Sequence, residues 1–87
     1  MRVLFTEQAW DDYLHSQAGD RSMLRRINTL IKDATRDAFD GLGKPEPLRN
    51  NLRGAWARRI TSEHRMVYRV DRENLVILQL RFHYADD

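Results

Sequence analysis

Apolar residues recur with the period of a helix in the first half of this chain and with the period of a strand in the second half. Between Met23 and Ala34, apolar side chains stand one, three and four positions apart, which predicts one buried face of an amphipathic helix. From Trp56 onwards, apolar and polar residues alternate, which predicts strands with one buried face. A chain with both periods must pack helices against a sheet, so the predicted fold class is α+β.

Cap and turn residues divide the two halves into elements. Thr6 and Asp20 are good helix N-caps, because their side-chain oxygens can accept a hydrogen bond from a backbone N–H of the first turn. The sequence predicts a strand over residues 2–5, helices over residues 7–17 and from Asp20 to about residue 34, and strands over residues 56–61, 65–70 and 75–84.

These elements predict one compact arrangement. The two helices form a hairpin around Gly19, which we expect to adopt a left-handed cap. The last three strands are joined by short turns and form an antiparallel meander. We expect the first strand to join the same sheet and the helical hairpin to cover its apolar face. The result is a single βααβββ domain over residues 1–87.

Residues 37–55 have no apolar period and separate the two halves. Three of the four glycines and both prolines of the chain lie in this segment, at Gly41, Gly43, Pro45, Pro47 and Gly54. They predict a loop of about nineteen residues, which is long for so small a domain. Long loops in compact domains usually carry function, so we expect functional residues here.

Composition excludes several classes of protein. Charged residues make up 32% of the chain, and no apolar run approaches a membrane span, so we expect no membrane partner. No signal-peptide pattern begins the chain, and a cytoplasmic location is expected. There is no cysteine, and the three histidines lack metal-ligand spacing, so neither a disulfide, a metal site nor a cofactor is predicted.

Positive charge is concentrated in the second half of the sequence. Residues 1–43 carry six Lys/Arg and seven Asp/Glu, whereas residues 44–84 carry nine Lys/Arg and four Asp/Glu. The nine basic residues are Lys44, Arg49, Arg53, Arg58, Arg59, Arg65, Arg69, Arg72 and Arg81. The planar fork of arginine matches phosphate, so this half could bind nucleic acid. A solvated sheet face whose arginine stems cover apolar surface is the alternative interpretation.

Two charged residues of the second half are candidates for chemistry. Glu46 lies between two prolines, which hold its backbone extended and aim its carboxylate, as a general base requires. Arg65 begins a strand directly after a turn and could hold a phosphate whose charge grows in a transition state. Each also has an ordinary explanation, as an exposed loop carboxylate or as a surface arginine paired with an acidic neighbour.

His83 and Tyr84 lie near the end of the chain, at the end of the last predicted strand. Histidine exchanges protons near neutral pH, so His83 is a candidate general acid. A frayed end with Tyr84 capping the core is the ordinary alternative. His15 and His64 are isolated and are interpreted as structural or solvent-facing, and the tryptophans Trp10 and Trp56 as core residues.

Taken together, a carboxylate, an arginine and a histidine are the groups that a metal-free ribonuclease needs. The substrate 2′-hydroxyl must lose a proton, the leaving 5′-oxygen must gain one, and the phosphoryl oxygens need positive charge. This combination leads to a hypothesis of RNA cleavage.

Sequence motifs along nearly the whole chain support that hypothesis. The chain resembles the YoeB/Txe ribosome-dependent mRNA interferases, which are toxins of type II toxin–antitoxin pairs with a RelE-like fold. The resemblance depends on Trp10-Asp11-Asp12-Tyr13-Leu14, Ile27-Asn28, Leu30-Ile31-Lys32-Asp33, Gly41, Gly43-Lys44-Pro45-Glu46-Pro47-Leu48, Asn51-Leu52, Gly54, Arg58-Arg59-Ile60-Thr61, Glu63-His64-Arg65, Val67-Tyr68 and His83-Tyr84.

The resemblance implies a role for each candidate residue. Glu46 would be the general base, His83 the general acid and Arg65 the phosphate clamp, while Tyr84 would orient substrate or protons. Because of their positive charge, Lys44, Arg49, Arg58 and Arg59 are further expected to contact phosphates of the RNA. The resemblance also implies cleavage of mRNA in the ribosomal A site, no cofactor, and neutralisation by a cognate antitoxin of the YefM/Phd type. A homodimer is a further possibility.

Two other functions remain open at this point. RelE-like folds include ParE-type toxins, which inhibit gyrase and do not cut RNA. The chain could also be an RNA-binding module without catalysis. Fold alone does not decide between these, because function depends on the site.

Overall fold

The computed structural model describes residues 1–82, and its elements follow the predicted order. They are β1 (Arg2–Phe5), α1 (Glu7–Ala18), α2 (Arg21–Arg36), β2 (Glu46–Pro47), a 3₁₀ turn (Asn50–Leu52), β3 (Trp56–Arg59), β4 (Arg65–Asp71) and β5 (Asn74–Gln79). The predicted helix boundaries agree with the structure to within two residues. The short strand β2 was not predicted and lies within the expected loop.

The strands form one sheet in the order β1-β5-β4-β3-β2. Antiparallel pairing of β3 with β4 and of β4 with β5 confirms the predicted meander. β1 pairs parallel with β5 at one edge, which confirms that the first strand joins this sheet, and β2 forms the opposite edge beside β3. The α+β class is therefore confirmed.

The helices begin where their caps predict. Thr6 Oγ1 accepts a hydrogen bond from the Ala9 N–H at 3.1 Å, and Asp20 Oδ1 accepts one from the Met23 N–H at 3.1 Å. The expected left-handed cap at Gly19 is wrong, because its φ is −114°. The chain enters α2 only two residues later, and the Gly19 N–H already bonds to the Ser16 carbonyl at 3.2 Å.

The last strand is shorter than predicted over its described part. β5 ends at Gln79, whose side-chain amide donates to the carbonyls of Arg81 at 2.7 Å and Phe82 at 3.1 Å. These bonds bend the chain out of the strand ladder, and Phe82 adopts a φ of 62°. The chain consequently turns towards the connection between β3 and β4.

The sheet is packed on both faces, but unequally. The main core lies between the sheet and the helices, where Ile27 and Leu30 of α2 meet Tyr68, Leu75 and Ile77 of the strands. A smaller cluster lies on the other face. There, Leu48, Leu52 and Ala55 of the segment between β2 and β3 pack with three strand residues, Ala57, Val67 and Leu78. The loop expected from the sequence thus has its own small core.

Trp10 does not belong to the main core as predicted. Its side chain is 47% exposed, stacks on Tyr13 with the ring centroids 5.8 Å apart, and meets the Phe5 ring edge-on at 5.6 Å. Aromatic stacking at the surface, rather than burial, explains its spacing from Tyr13. Trp56 is partly buried against the core, as predicted. In residues 1–82, neither helix is long and apolar enough to cross a membrane.

Candidate functional site

Three of the predicted site residues lie on the face of the sheet that points away from the helices. In the strand registers, Glu46 stands opposite Ala57, and Arg59 stands opposite Arg65. Residues opposite each other in an antiparallel pair share a face, as do residues two apart in one strand. We call the face that carries Ala57 and these three charged residues the site face.

Strand geometry sets the distances across the site face. With neighbouring strands about 4.8 Å apart and about 3.4 Å between residues along a strand, the Cα of Glu46 lies roughly 8 Å from that of Arg59 and roughly 12 Å from that of Arg65. Glu46 and Arg59 are exposed, and Arg65 is half-buried. Long side chains at these separations can converge on one phosphodiester.

Glu46 owes its position to the edge of the sheet. It is one of the two residues of β2, and its pairing with Ala57 holds the backbone extended, as its two proline neighbours predict. The partner residue is small, so its side chain adds only a methyl group to the site face beside the carboxylate.

Arg65 is held by the turn that precedes it. Its Nη1 donates to the carbonyl oxygens of Thr61 at 2.7 Å, His64 at 3.1 Å and Ser62 at 3.3 Å. The turn thus fixes one nitrogen of the guanidinium with neutral acceptors. No carboxylate pairs with Arg65 among residues 1–82, so the salt bridge considered for it is not formed there.

The C-terminal part of the described chain returns to Arg65. The Arg65 N–H donates to the Phe82 carbonyl at 3.1 Å, and the Phe82 N–H donates to His64 Nδ1 at 2.7 Å. Phe82 therefore lies beside the guanidinium-bearing residue of the site face. His83 and Tyr84 follow it in the sequence and lie outside the described residues, so their predicted roles stay predictions.

Arg58 does not belong to the site face, which corrects the prediction that it contacts RNA phosphates. Its side chain is 0% exposed, and all five N–H groups have acceptors within the protein. Nε donates to the Tyr68 hydroxyl at 2.9 Å, and Nη1 donates to Asp33 Oδ2 at 2.6 Å. The remaining donors reach the carbonyls of Asp37, Asp40 and Leu42. A guanidinium so occupied has no N–H left for a phosphate.

The buried Arg58 guanidinium binds the segment that leads to Glu46, through the carbonyls of Asp37, Asp40 and Leu42. Asp33 binds the same segment, since its carboxylate also accepts the Leu42 N–H at 2.9 Å. We call Arg58, Asp33 and these bonds the Arg58 clasp. The pKa of Asp33 is lowered from 3.8 to about 2, most of all by the backbone bond from Leu42 and to a smaller extent by the bonds from Arg58 and Arg36. Tyr68 donates to the Ala38 carbonyl at 2.6 Å, and burial raises the pKa of its hydroxyl. Residues 38–42 are thus hydrogen-bonded to Asp33 of α2 and to Arg58 and Tyr68 of the sheet.

Two glycines allow this close approach. Gly41 and Gly43 have φ values of 120° and 79°, which other residues rarely adopt. A Cβ at Gly41 would overlap the Asp33 carboxylate, and one at Gly43 would lie 2.9 Å from Leu30 Cδ2. The Gly43 carbonyl accepts the Arg59 N–H at 2.7 Å, so the segment is hydrogen-bonded to β3 before β2 begins.

The other predicted phosphate ligands are accessible. Lys44, Arg49 and Arg59 are all exposed. Lys44 and Arg49 flank β2 along the chain, and Arg59 shares the site face with Glu46. Among residues 1–82, no group of three or more His, Asp or Glu residues is arranged to hold a metal ion.

Comparison with known proteins assigns the family. Residues 5–84 match the YoeB-like toxin of bacterial type II toxin–antitoxin systems. A curated relative, Toxin YoeB of Synechocystis sp., is 56% identical over 84 residues, which cover 97% of this chain and 98% of the relative. The chain belongs to the YoeB toxin family.

Solved structures of the family have the same fold. A YoeB/ParE toxin from Agrobacterium tumefaciens superposes with a TM-score of 0.94 at 50% identity, covering 97% of this chain and all of the other. YoeB from Staphylococcus aureus, as a dimer and in a heterotetrameric complex with YefM, gives a TM-score of 0.89 at 42% identity, with 97% and 98% coverage. The expectation of a RelE-like fold and a toxin of the YoeB family is confirmed.

Sequence analysis missed the roles of two residues in this family member. Arg58 alternates with Trp56 and Ile60, so the strand period had already assigned it to the apolar face. That signal could have identified it as buried. The bond to His64 had no such signal, because its partner is a backbone N–H eighteen residues later in the chain.

Proposed function

We propose that this chain is a toxin that cuts messenger RNA in the A site of the ribosome, without a metal ion, and so inhibits translation. The main support is one arrangement. Glu46 and Arg65 stand on the same face of the sheet, and the described chain reaches Arg65 at Phe82, directly before His83 in the sequence. A base, a phosphate clamp and an acid would then serve one phosphodiester.

The proposed reaction is an in-line attack within the RNA. Glu46 takes the proton of the 2′-hydroxyl, whose oxygen attacks the adjacent phosphorus. The bond from phosphorus to the 5′-oxygen breaks, and His83 gives that oxygen a proton. A 2′,3′-cyclic phosphate, or the 3′-phosphate formed from it, and a 5′-hydroxyl are the products. Arg65 stabilises the charge on the phosphoryl oxygens, and Tyr84 orients the substrate or stacks on a base.

Neighbouring cations extend the proposed contact with RNA. Lys44, Arg49 and Arg59 are exposed around Glu46 and would bind phosphates on either side of the cleaved bond. Arg58 takes no part, because its donors are used inside the protein.

The proposal includes protein partners. A YefM-type antitoxin would cover the site face and neutralise the toxin. The heterotetrameric YoeB-YefM toxin–antitoxin complex of the Staphylococcus aureus relative supports this choice of partner. The dimer of the same relative makes a homodimer part of the proposal. The site of action would be the cytoplasm, where ribosomes carry mRNA.

Single-turnover cleavage on programmed ribosomes tests the mechanism. Mapping the new 3′ ends of the mRNA locates the cut, and we expect it in the A-site codon. His83→Ala should reduce the rate by about 10²–10⁴, the usual cost of losing a proton-transfer group. His15→Ala, which changes an exposed histidine of α1, is the matched control and should cut normally. Normal cleavage by His83→Ala would remove that residue from the mechanism.

Gyrase inhibition is a second candidate function. The Agrobacterium tumefaciens structure is described as a YoeB/ParE toxin, and ParE-type toxins act on gyrase without cutting RNA. A DNA supercoiling assay separates the two functions. Inhibition of gyrase by the purified chain, with no mRNA cut on ribosomes, would replace the ribonuclease proposal. RNA binding that survives both Glu46→Gln and His83→Ala, with no product in either assay, would indicate a binding module.

A further inference from the structure

Phe82 is bound through both of its backbone polar groups to two consecutive residues. Its N–H donates to His64 Nδ1 at 2.7 Å, and its carbonyl accepts the Arg65 N–H at 3.1 Å. The side chain of Gln79 adds a second donor to the same carbonyl at 3.1 Å. These bonds are made at the last described position, immediately before His83 in the sequence.

Burial does not hold Phe82 in place. Its side chain is 59% exposed, and its φ of 62° lies in the left-handed region that residues with a Cβ seldom adopt. Within residues 1–82, its ring contacts are with the His64 imidazole, 5.4 Å between centroids, and with the Arg81 guanidinium, 4.7 Å from the Phe82 centroid. Hydrogen bonds, rather than apolar packing, therefore keep this backbone conformation.

The backbone of His64 is itself firmly placed. Its N–H donates to Thr61 Oγ1 at 3.0 Å, and its carbonyl accepts the N–H groups of Ile60 at 3.0 Å and Thr61 at 3.2 Å. Arg65 Nη1 reaches the same carbonyl at 3.1 Å. These bonds fix the backbone of His64, from which the side chain extends to place Nδ1 beside the Phe82 N–H.

The protonation state of the imidazole follows from its partner. A backbone N–H can only donate, so the nitrogen 2.7 Å from it must be unprotonated, and the ring proton lies on Nε2. An imidazolium has N–H groups at both nitrogens and cannot accept this bond. Among residues 1–82, Arg65 bonds to the His64 carbonyl, and the Arg81 guanidinium lies 4.7 Å from the centroid of the Phe82 ring that contacts the imidazole.

We infer that His64 is a positioning residue, whose neutral imidazole fixes Phe82 and so sets where the segment bearing His83 begins relative to Arg65. The inference rests on the proposed function, because it gives His64 a purpose only if His83 acts at the phosphate held by Arg65. His64 touches no reacting atom in this scheme. It acts through the backbone of Phe82.

Three substitutions at residue 64 separate positioning from mere stability. His64→Asn places an amide oxygen on the same carbon that carries Nδ1, and this oxygen accepts at every pH. His64→Gln moves the amide one carbon further out, and His64→Leu has no acceptor. In steady-state cleavage on programmed ribosomes, we expect kcat to fall about 10- to 100-fold in His64→Leu, since a displaced catalytic group costs that much. The KM for ribosomes should stay unchanged, and His64→Asn should restore most of kcat.

Rescue by the conservative variant supplies the further readout. His64→Asn keeps an acceptor for the Phe82 N–H, whereas His64→Leu does not, so the cleavage rates of the two variants should differ even where their melting temperatures are equal. A loss of stability alone would not produce this difference. Equal kcat in His64→Leu and wild type, while His83→Ala is inactive, would overturn the inference and leave the proposed function intact.

A measurement on the unmodified chain avoids any dependence on folding of the variants. In ¹⁵N-labelled protein, an N–H···N bond gives a scalar coupling between the Phe82 amide nitrogen and His64 Nδ1. We expect this coupling at neutral pH. Absence of the coupling at neutral pH would overturn the inference. If the coupling is present but the wild type cuts no mRNA on ribosomes, the proposed function fails instead.

Discussion

Arg58 and Arg59 are neighbours in β3, yet they belong to different parts of the molecule. Arg58 points into the helix side of the sheet, where its five donors bind one carboxylate, one hydroxyl and three carbonyls. Arg59 is exposed on the site face, opposite Arg65. The same side chain therefore serves stability on one face and is available to a ligand on the other. Strand alternation, rather than residue type, separates the two roles.

The helix side and the site face of the sheet differ in the same way as these two arginines do. The helix side is a continuous core closed by the Arg58 clasp, whereas the site face has a small apolar cluster beside exposed charge. Changes on the helix side should lower the free energy of unfolding, and changes at Glu46 and Arg59, the exposed charged residues of the site face, should lower activity alone.

The largest effect is expected at Glu46. Glu46→Gln removes the proposed base and should reduce single-turnover cleavage by about 10²–10⁴, with the melting temperature unchanged, because the side chain is exposed. Glu73→Gln, at an exposed turn before β5, is the matched control and should cut normally. A Glu46→Gln variant that cuts at the wild-type rate would contradict the assignment of the base.

On the helix side, Arg58→Met should destabilise the fold. It leaves three carbonyls and the Asp33 carboxylate without their buried donor, and breaking such a pair costs about 3–5 kcal/mol of the free energy of unfolding. Arg59→Met should change that free energy by no more than about 0.5 kcal/mol. Urea unfolding of both variants measures the difference. Equal effects of the two substitutions would refute the distinction between the faces.

Acid should weaken the same clasp. The pKa of Asp33 is about 2 in the folded chain, below its ordinary 3.8, so the ionised carboxylate stabilises the fold fully above pH 4 and progressively less as the pH falls towards 2. We expect the melting temperature of the wild type to fall more steeply over this range than that of Asp33→Asn. Asp11→Asn, at an exposed position of α1, should behave like the wild type. Parallel curves for all three proteins would argue against this role of Asp33.

The smallest effect concerns Arg59. If it contacts a phosphate, Arg59→Gln should reduce the slope of log affinity for programmed ribosomes against log salt by about 0.7. The measurement is best made in a Glu46→Gln background, where the mRNA stays intact. Arg72→Gln, in the turn at the other end of β4, should leave the slope unchanged. An unchanged slope in the Arg59 variant would remove this residue from the RNA interface.

Much of the fold was predictable because its signals are local. The spacing of Met23 to Ala34 and the caps at Thr6 and Asp20 predicted both helices, since each depends on residues within one or two turns. The proline neighbours of Glu46 predicted an extended backbone, and the structure has a strand there. The end of β5 and the exposure of Trp10 were not predicted: β5 ends where the Gln79 side chain bonds to the carbonyls of Arg81 and Phe82, and Trp10 packs on Phe5 of β1 as well as on Tyr13.

The candidate site was predicted only in part. Glu46 and Arg65 do share a face, but the prediction that Arg58 contacts an RNA phosphate was wrong. Net charge counts residues without regard to the face on which they lie. The roles of His83 and Tyr84 are still predictions, because both residues lie outside the described part of the chain.

By itself, the sequence determined the order of helices and strands, the alternation of Arg58 and Arg59 between opposite faces of β3, and the stiff backbone around Glu46. Only the tertiary structure decided that residues 37–42 supply the acceptors for Arg58 and that Phe82 reaches His64 and Arg65. The physical reason is the range of the interactions. Side-chain periods and caps act over a few residues, whereas these hydrogen-bond partners meet only when distant segments have packed against the same sheet.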